Sequence, residues 1–274
     1  MVAMEVCFTM LRPLLLAVSC WSSASIAVAH EFWLSPESYR VAPGGEIAVR
    51  LRVGEDFRGP SYVYSPNAFV RFDMVSAGLS KPVDGRLGDD PALVAEAPES
   101  GLVVVVHETT DRSVVYTEWD RFVSFVEHKG YADAPARHRA RGLPESGFRE
   151  RYRRFAKTLV AVGDGAGTDA AQGLRTEIVA LANPYADDLG QGLPVLVMFE
   201  GAPRVGAQIE LFAQAPDGTV TATFHTTDDA GRAILPVEAG YTYLADSVVL
   251  LEVDAEAAEA VWESLWASLT FSVP

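Results

Sequence analysis

Ile47-Ala48-Val49-Arg50-Leu51-Arg52-Val53 is the stretch that decides the fold. Ile47, Val49, Leu51 and Val53 recur at every second residue, with Ala48, Arg50 and Arg52 between them. A period of two puts the first set on one face of a pleated strand, so this is a half-buried antiparallel strand. Pro43-Gly44-Gly45 turns the chain into it. Upstream, Phe32 and Leu34 share a face ahead of a break at Ser35-Pro36. Downstream, Phe69–Val75 reads as another strand, and Leu102–Val106 is apolar on both faces, as a central strand should be. Five more candidates follow at Val195–Phe199, Ala207–Ala213, Thr219–Thr226, Arg232–Val237 and Tyr243–Val253, joined by turns such as Pro216-Asp217-Gly218 and Asp228-Asp229-Ala230-Gly231. Short strands punctuated in this way define a mainly β chain, expected to form two Ig-like or prealbumin-like β-sandwiches with a few helical insertions.

Three helices are expected. Thr117 is a candidate N-cap with Glu118 and Asp120 behind it, and Trp119, Phe122, Val123 and Val126 lie at helical spacing up to Lys129-Gly130. A second helix is expected near Glu145–Phe155, making an insertion of about 117–155 before Thr158–Val162 returns to strand. Ala258, Val261, Trp262, Leu265 and Trp266 form one stripe, so 255–268 reads as a C-terminal helix followed by a closing strand at Leu269–Val273. The Gly/Asp-rich stretch after Tyr185 is the expected boundary between an N-terminal domain, 30–185, and a C-terminal one, 186–274.

Both cysteines, Cys7 and Cys20, fall in the first 29 residues. The apolar run from Leu11 to Trp21 is too short to span a bilayer, which needs about 20 residues. Ala27-Val28-Ala29 carries small residues at the −3 and −1 positions of a signal-peptidase site. Residues 1–29 therefore read as a signal peptide cut after Ala29, with initiation at Met1, Met4 or Met10 left open. The expected product is periplasmic, free of thiols and without a membrane span after cleavage. A net charge of −15 disfavours nucleic acid and anionic membranes and favours cations. Residues 128–157 run the other way, with nine Lys/Arg against Asp133, Glu145 and Glu150. That segment is either an arginine-rich surface paired with acidic neighbours or a docking face for an acidic partner.

Cleavage after Ala29 makes His30 the first residue, offering an α-amine and an imidazole that together chelate a divalent metal. Their ordinary pKa values, about 7.7–8.0 and about 6.5, make proton loss to a metal cheap near neutral pH. The five histidines, His30, His107, His128, His138 and His225, show no H-x-H, H-x-x-x-H or H-E-x-x-H spacing, so any metal site must be assembled from distant segments. His107 ends a strand and can reach a rim site. His138 lies between Arg137 and Arg139, whose field keeps its ring neutral. The expected metal ligands are therefore His30, His107 and His138. His128 suits a helix C-terminus, and His225 shares a solvent-facing strand side with Thr219, Thr221 and Thr223. There is no G-x-S-x-G elbow and no evident carboxylate pair, and Gly163–Gly167 lacks the lysine of a phosphate loop. The expectation is a binding protein, not an enzyme.

His30-Glu31-Phe32-Trp33-Leu34, Arg141-Gly142-Leu143-Pro144-Glu145, Phe155–Val160, Glu177–Tyr185, Thr227–Arg232 and Trp262–Phe271 resemble one family across essentially the whole mature chain. It is the periplasmic component family associated with nickel/cobalt ABC-type uptake, also catalogued as domain of unknown function 4198. The resemblance implies two Ig-like β domains and the handling of Ni²⁺ or Co²⁺ outside the inner membrane. The partner it implies is an inner-membrane ABC-type metal uptake system or an outer-membrane receptor. Some members carry a histidine in the strand matching Tyr243–Leu251, where this chain has Val248 and Val249. Cu²⁺ binds the same nitrogen donors more tightly, so a histidine-brace copper protein is the alternative. An Ig-like envelope interaction module without metal is a further one.

Overall fold

A computed structural model describes residues 30–254 and 259–274, and the expected signal peptide with its cleavage site lies outside the described residues. The chain forms β1 (Glu31–Pro36), β2 (Arg40–Val41), β3 (Glu46–Gly54), β4 (Ser61–Tyr62), β5 (Phe69–Ser76), β6 (Leu79–Pro82), β7 (Leu93–Glu96), β8 (Gly101–Thr109) and β9 (Arg112–Tyr116). Helices α1 (Trp119–His128) and α2 (Ala134–Ala140) follow, then β10 (Phe148–Val162), β11 (Thr176–Ala180), β12 (Leu193–Phe199) and β13 (Ala202–Pro203). β14 (Gln208–Gln214), β15 (Val220–Thr226), β16 (Arg232–Leu235), β17 (Thr242–Glu252) and β18 (Trp262–Ser272) complete it. The fold is mainly β and sandwich-like, as the alternation implied.

One long sheet organises the molecule, in the order β15-β14-β17-β18-β10-β8-β5-β6, with β2 and β9 also on β10. A small sheet of β1, β3, β4 and β7 covers one face of it. Phe32, Leu34, Ile47, Val49 and Leu51 meet Phe72, Val103, Val105, Ala156 and Val160 there. A second small sheet of β11, β12, β13 and β16 covers the opposite face, where Ile178, Val195 and Val197 meet Val104, Phe155, Leu159, Leu265 and Phe271. The two helices pack beside the first small sheet, setting Phe122, Phe125 and Val126 against Val248, Trp262 and Trp266. β8 is thus buried on both faces, as its continuous apolar run required.

The expected boundary after Tyr185 falls between β11 and β12, which pair antiparallel across it (Thr176↔Phe199 to Ala180↔Val195). The long sheet also draws strands from both sides of that point. Its joint is the parallel pair β10 and β18, in register from Glu150↔Trp262 to Thr158↔Thr270.

Two helices of the sequence reading are strands. Residues 262–272 are β18, antiparallel to β17 along its whole length (Thr242↔Ser272 to Glu252↔Trp262), and residues 255–258 lie outside the described residues. Trp262 and Trp266 face the helices while Leu265, Ala267, Leu269 and Phe271 face the opposite core. A strand buried on both sides loses its period of two, and its apolar residues then happened to match a helical stripe. Likewise the segment expected as a helix near Glu145–Phe155 is the start of β10, paired with β9 from Phe148↔Tyr116 to Tyr152↔Arg112. α1 begins at Trp119 with Glu118, not Thr117, in the N-cap position.

Candidate functional site

β10 crosses the protein with alternate residues on opposite faces. Phe148, Glu150, Tyr152, Arg154 and Ala156 share one face, and the last is already in the core under β1 and β3. Between them the small sheet and α1 diverge, and two cavities open. One, of 350 Å³, is lined by His30, Tyr116, Arg121, Phe125, Glu150 and Trp266 among others. The other, of 390 Å³, is lined by Phe32, Leu51, Phe69, His107 and Arg112 among others. Val53, Tyr62, Tyr152 and Arg154 line both, so the two are neighbours separated by those side chains.

The expected ligands do not converge. His30 sits half-exposed at the rim of the first cavity, with Nδ1 3.3 Å from Glu55 Oε1. His107 is 2% exposed at the second cavity, wedged among Phe32, Phe69 and Phe72 at ring distances of 5.2, 5.5 and 4.9 Å. Burial alone pushes its pKa down to about 3, so the ring is neutral. Arg154 stands between the two histidines, its guanidinium 5.9 Å from the Phe32 ring and donating to the His30 carbonyl at 3.2 Å. That positive charge opposes a shared metal there.

His138 is corrected outright. It is fully buried, its Nε2 donates to the Pro144 carbonyl at 2.9 Å, and its Nδ1 accepts the Trp262 indole N–H at 2.9 Å. Burial, then the Arg141 and Arg139 charges, hold its pKa below the usual value against the pull of the Pro144 bond. With both nitrogens engaged it anchors α2 to β18 and is no ligand. His225 is also less exposed than expected, bonded to Thr223 Oγ1 at 2.9 Å, while Phe224 on the other side of β15 is 53% exposed.

The turn that carries Glu55 is unusual. Asp56 and Phe57 occupy positive φ (50° and 58°) in a tight hairpin closed by Glu55 and Arg58, with Phe57 set edge-on against Trp33. Gly54 and Gly59 allow it, because a Cβ at either would lie about 2 Å from a backbone carbonyl oxygen. Strained backbone of this kind costs about 1–3 kcal/mol per residue and persists where surrounding packing imposes it.

Two buried polar clusters flank the cavities. Glu150 accepts from Tyr116 Oη at 2.7 Å and from Ser264 Oγ, which in turn accepts the Trp266 indole N–H at 2.8 Å. Burial pushes Glu150 up to about 7 against those two hydrogen bonds. Nearby, Lys129 at the end of α1 reaches Glu31, Glu210 and Asp246 at 3.0, 2.7 and 3.0 Å. These three carboxylates could otherwise gather a cation. The ammonium holds that place: burial disfavours its charge, but Asp246, Glu31 and Glu210 outweigh it and raise its pKa. Glu31 is pushed up to about 7 by burial despite Lys129. His128 leans on Glu210 at 3.0 Å from both carboxylate oxygens, a contact that raises its pKa.

Much of the basic segment is paired within the chain, though no ion pair is formed by Arg149 or Arg154 among the described residues. Arg151 binds Glu263, Arg153 binds Glu108 and Asp111, Arg139 binds Glu145 and Arg137 binds Glu252. Glu55, Glu150 and Arg154 were not singled out from sequence. The alternation Phe148-x-Glu150-x-Tyr152-x-Arg154 was the available signal, hidden by the helical reading of that segment.

The fold and cavities define a mainly β, sandwich-like protein with two neighbouring cavities beneath the first small sheet. The chain belongs to the family described as Domain of unknown function (DUF4198), whose model matches residues 27–249. No curated protein matches it. Among solved structures it is similar to a tetra-tandem repeat in the extending region of a large adhesion protein, with 12% identity and a TM-score of 0.21, over 89% of this chain and 49% of that one. It is also similar to the D0-D1 domain of intimin, with 15% identity and a TM-score of 0.20, over 89% of this chain and 98% of that one. The chain thus spans about half the length of the first. No helix among the described residues is long and apolar enough to cross a membrane.

Proposed function

We propose that the protein is a periplasmic metal-binding protein that captures or delivers Ni²⁺ or Co²⁺ for uptake, with its site at a processed N-terminal His30. The observation that carries this reading is the 3.3 Å approach of His30 Nδ1 to Glu55 Oε1. Two ligand atoms at bond lengths of about 2.0–2.2 Å on one metal stand about 3.0–3.4 Å apart when adjacent in the coordination sphere. A metal could therefore sit between them without moving either side chain. Among the described residues no third His, Cys, Asp or Glu joins this pair as a ligand group. The third donor is the α-amine that cleavage after Ala29 would free, closing a six-membered chelate with Nδ1. His107 and His138 take no part. The amine, imidazole and carboxylate set suits borderline divalent metals, and the Irving–Williams order makes Cu²⁺ the strongest competitor. The partner in this reading is a metal uptake system of the envelope. The rival reading is docking through the basic segment, where Arg151 and Arg153 are ion-paired within the chain and Arg149 is not, among the described residues.

Calorimetry separates the readings. Protein beginning at His30 is titrated with Ni²⁺, Co²⁺ and Cu²⁺, beside the same protein with one glycine added before His30. Binding confined to the unextended form, and weakened by Glu55→Gln, is expected. Equal affinity of the two forms, or no binding of any of the three metals by the first, refutes the proposal.

A further inference from the structure

The second cavity is lined by Arg154 and His107, which carry buried polar atoms without hydrogen-bond partners among the described residues. Arg154 Nε is closed off from solvent and has no hydrogen-bond partner among the described residues. The rest of its guanidinium donates to the His30 carbonyl and lies against the Phe32 and Tyr152 rings, at 5.9 and 4.9 Å. No carboxylate of the described residues comes within ion-pair distance of it; Asp246 and Glu31, both bonded by Lys129, act on it only at longer range. Buried charges are as a rule paired. Such a guanidinium presents a planar fork suited to a directly bonded carboxylate, which the described residues do not supply.

His107 repeats the pattern independently. Both of its ring nitrogens are sealed and without partners among the described residues. A phenyl ring would fill the box made by Phe32, Phe69 and Phe72 equally well, so packing does not account for an imidazole. A neutral imidazole differs by carrying one N–H donor and one acceptor. Both unpartnered groups lie within 6 Å of the same Phe32 ring, and both line the same 390 Å³ cavity. Its remaining walls include Leu51, Val53, Phe69 and Val63, with the Tyr62 and Tyr152 rings between. That volume lies in the range of small-molecule sites, which combine apolar walls with a few polar anchors.

We infer that this cavity is a binding site for a small apolar or aromatic monocarboxylic acid, its carboxylate held by Arg154 and His107 and its hydrocarbon body by the Phe32, Leu51, Val53 and Phe69 walls. The apolar walls favour a hydrocarbon body over a second charged group, although Arg112 also lines the cavity. A neutral amide would leave the guanidinium without an anion. The site is distinct from the His30 and Glu55 pair and does not depend on a metal.

The test uses the chain beginning at His30, freed of metal with a chelator, and calorimetry with benzoate and hexanoate as probes. Benzamide and inorganic phosphate are the controls. Saturable one-to-one binding of a carboxylate at millimolar or lower concentration is expected, with both controls weaker by roughly tenfold or more, the usual scale for a lost charge-assisted hydrogen bond. His107→Phe, which keeps the aromatic box, and Arg154→Met are each expected to weaken binding by a similar factor. Should Arg154→Met fail to fold, the ¹⁵N resonance of Arg154 Nε in the unmodified protein replaces it and is expected to move on benzoate addition. Lack of saturation by both acids, equal binding of benzamide, unaltered affinity in the variants, or a stationary Nε resonance overturns the proposal.

Discussion

Glu150→Gln tests whether the buried carboxyl beneath the first cavity is neutral in the folded protein. Burial raises Glu150 from the ordinary 4.5 to about 7. The folded state therefore holds a proton that the unfolded chain releases between about pH 4.5 and 7. Because the folded form binds more protons across that window, stability falls as pH rises through it and levels off above the folded value. At about 1.4 kcal/mol per pH unit, the loss from this one group is about 3 kcal/mol. Glutamine keeps the carbonyl that accepts from Tyr116 or Ser264 and cannot ionise, so the variant should lack this component. The assay is urea unfolding of both proteins at a series of pH values across the window. The stability of the variant relative to the parent should rise by about 3 kcal/mol from the acid to the alkaline end. Glu31 contributes a slope of its own, but it is present in both proteins and cancels in the difference. Parallel profiles would show that Glu150 is ionised in the folded state, and the reasoning from burial would fail.

Two further outcomes follow from the same physics. His107 is held neutral by burial, with its pKa lowered to about 3, so the unfolded chain binds the extra proton as pH falls from about 6.5. His107→Phe should therefore flatten the acid side of the unfolding profile, a slope opposite in sign to that of Glu150, and an unchanged acid limb in urea titrations would contradict it. Lys129→Met leaves Glu31, Glu210 and Asp246 buried without their shared cation. A loss of about 3–5 kcal/mol is expected in chemical denaturation, the scale for stranding a buried charge, and a loss below about 1 kcal/mol would mean the cluster is neutral in the folded state.

The strands at Ile47–Val53, Phe69–Val75 and Leu102–Val106 were legible because each has neighbours that fit its pattern: one wet face gives alternation, and two dry faces give an unbroken apolar run. β18 and the first half of β10 were not legible. β18 mixes Glu263, Ser264 and Ser268 into a segment buried on both sides, and the arginines of β10 find Glu108, Asp111 and Glu263 only in the folded molecule. Local pattern cannot separate a helix from a strand whose polar residues are satisfied by distant partners.

Sequence alone determined the β character, and it raised the expectation of an N-terminal histidine offering an amine and an imidazole. Tertiary structure decided which groups meet. It placed Glu55 beside His30, sealed His138 between Trp262 and Pro144, and set Arg154 between His30 and His107. The physical reason is that strand periodicity records which face a side chain takes, whereas its partner depends on sheet order. Here that order rests on the parallel joint of β10 with β18, between residues more than a hundred positions apart in the chain.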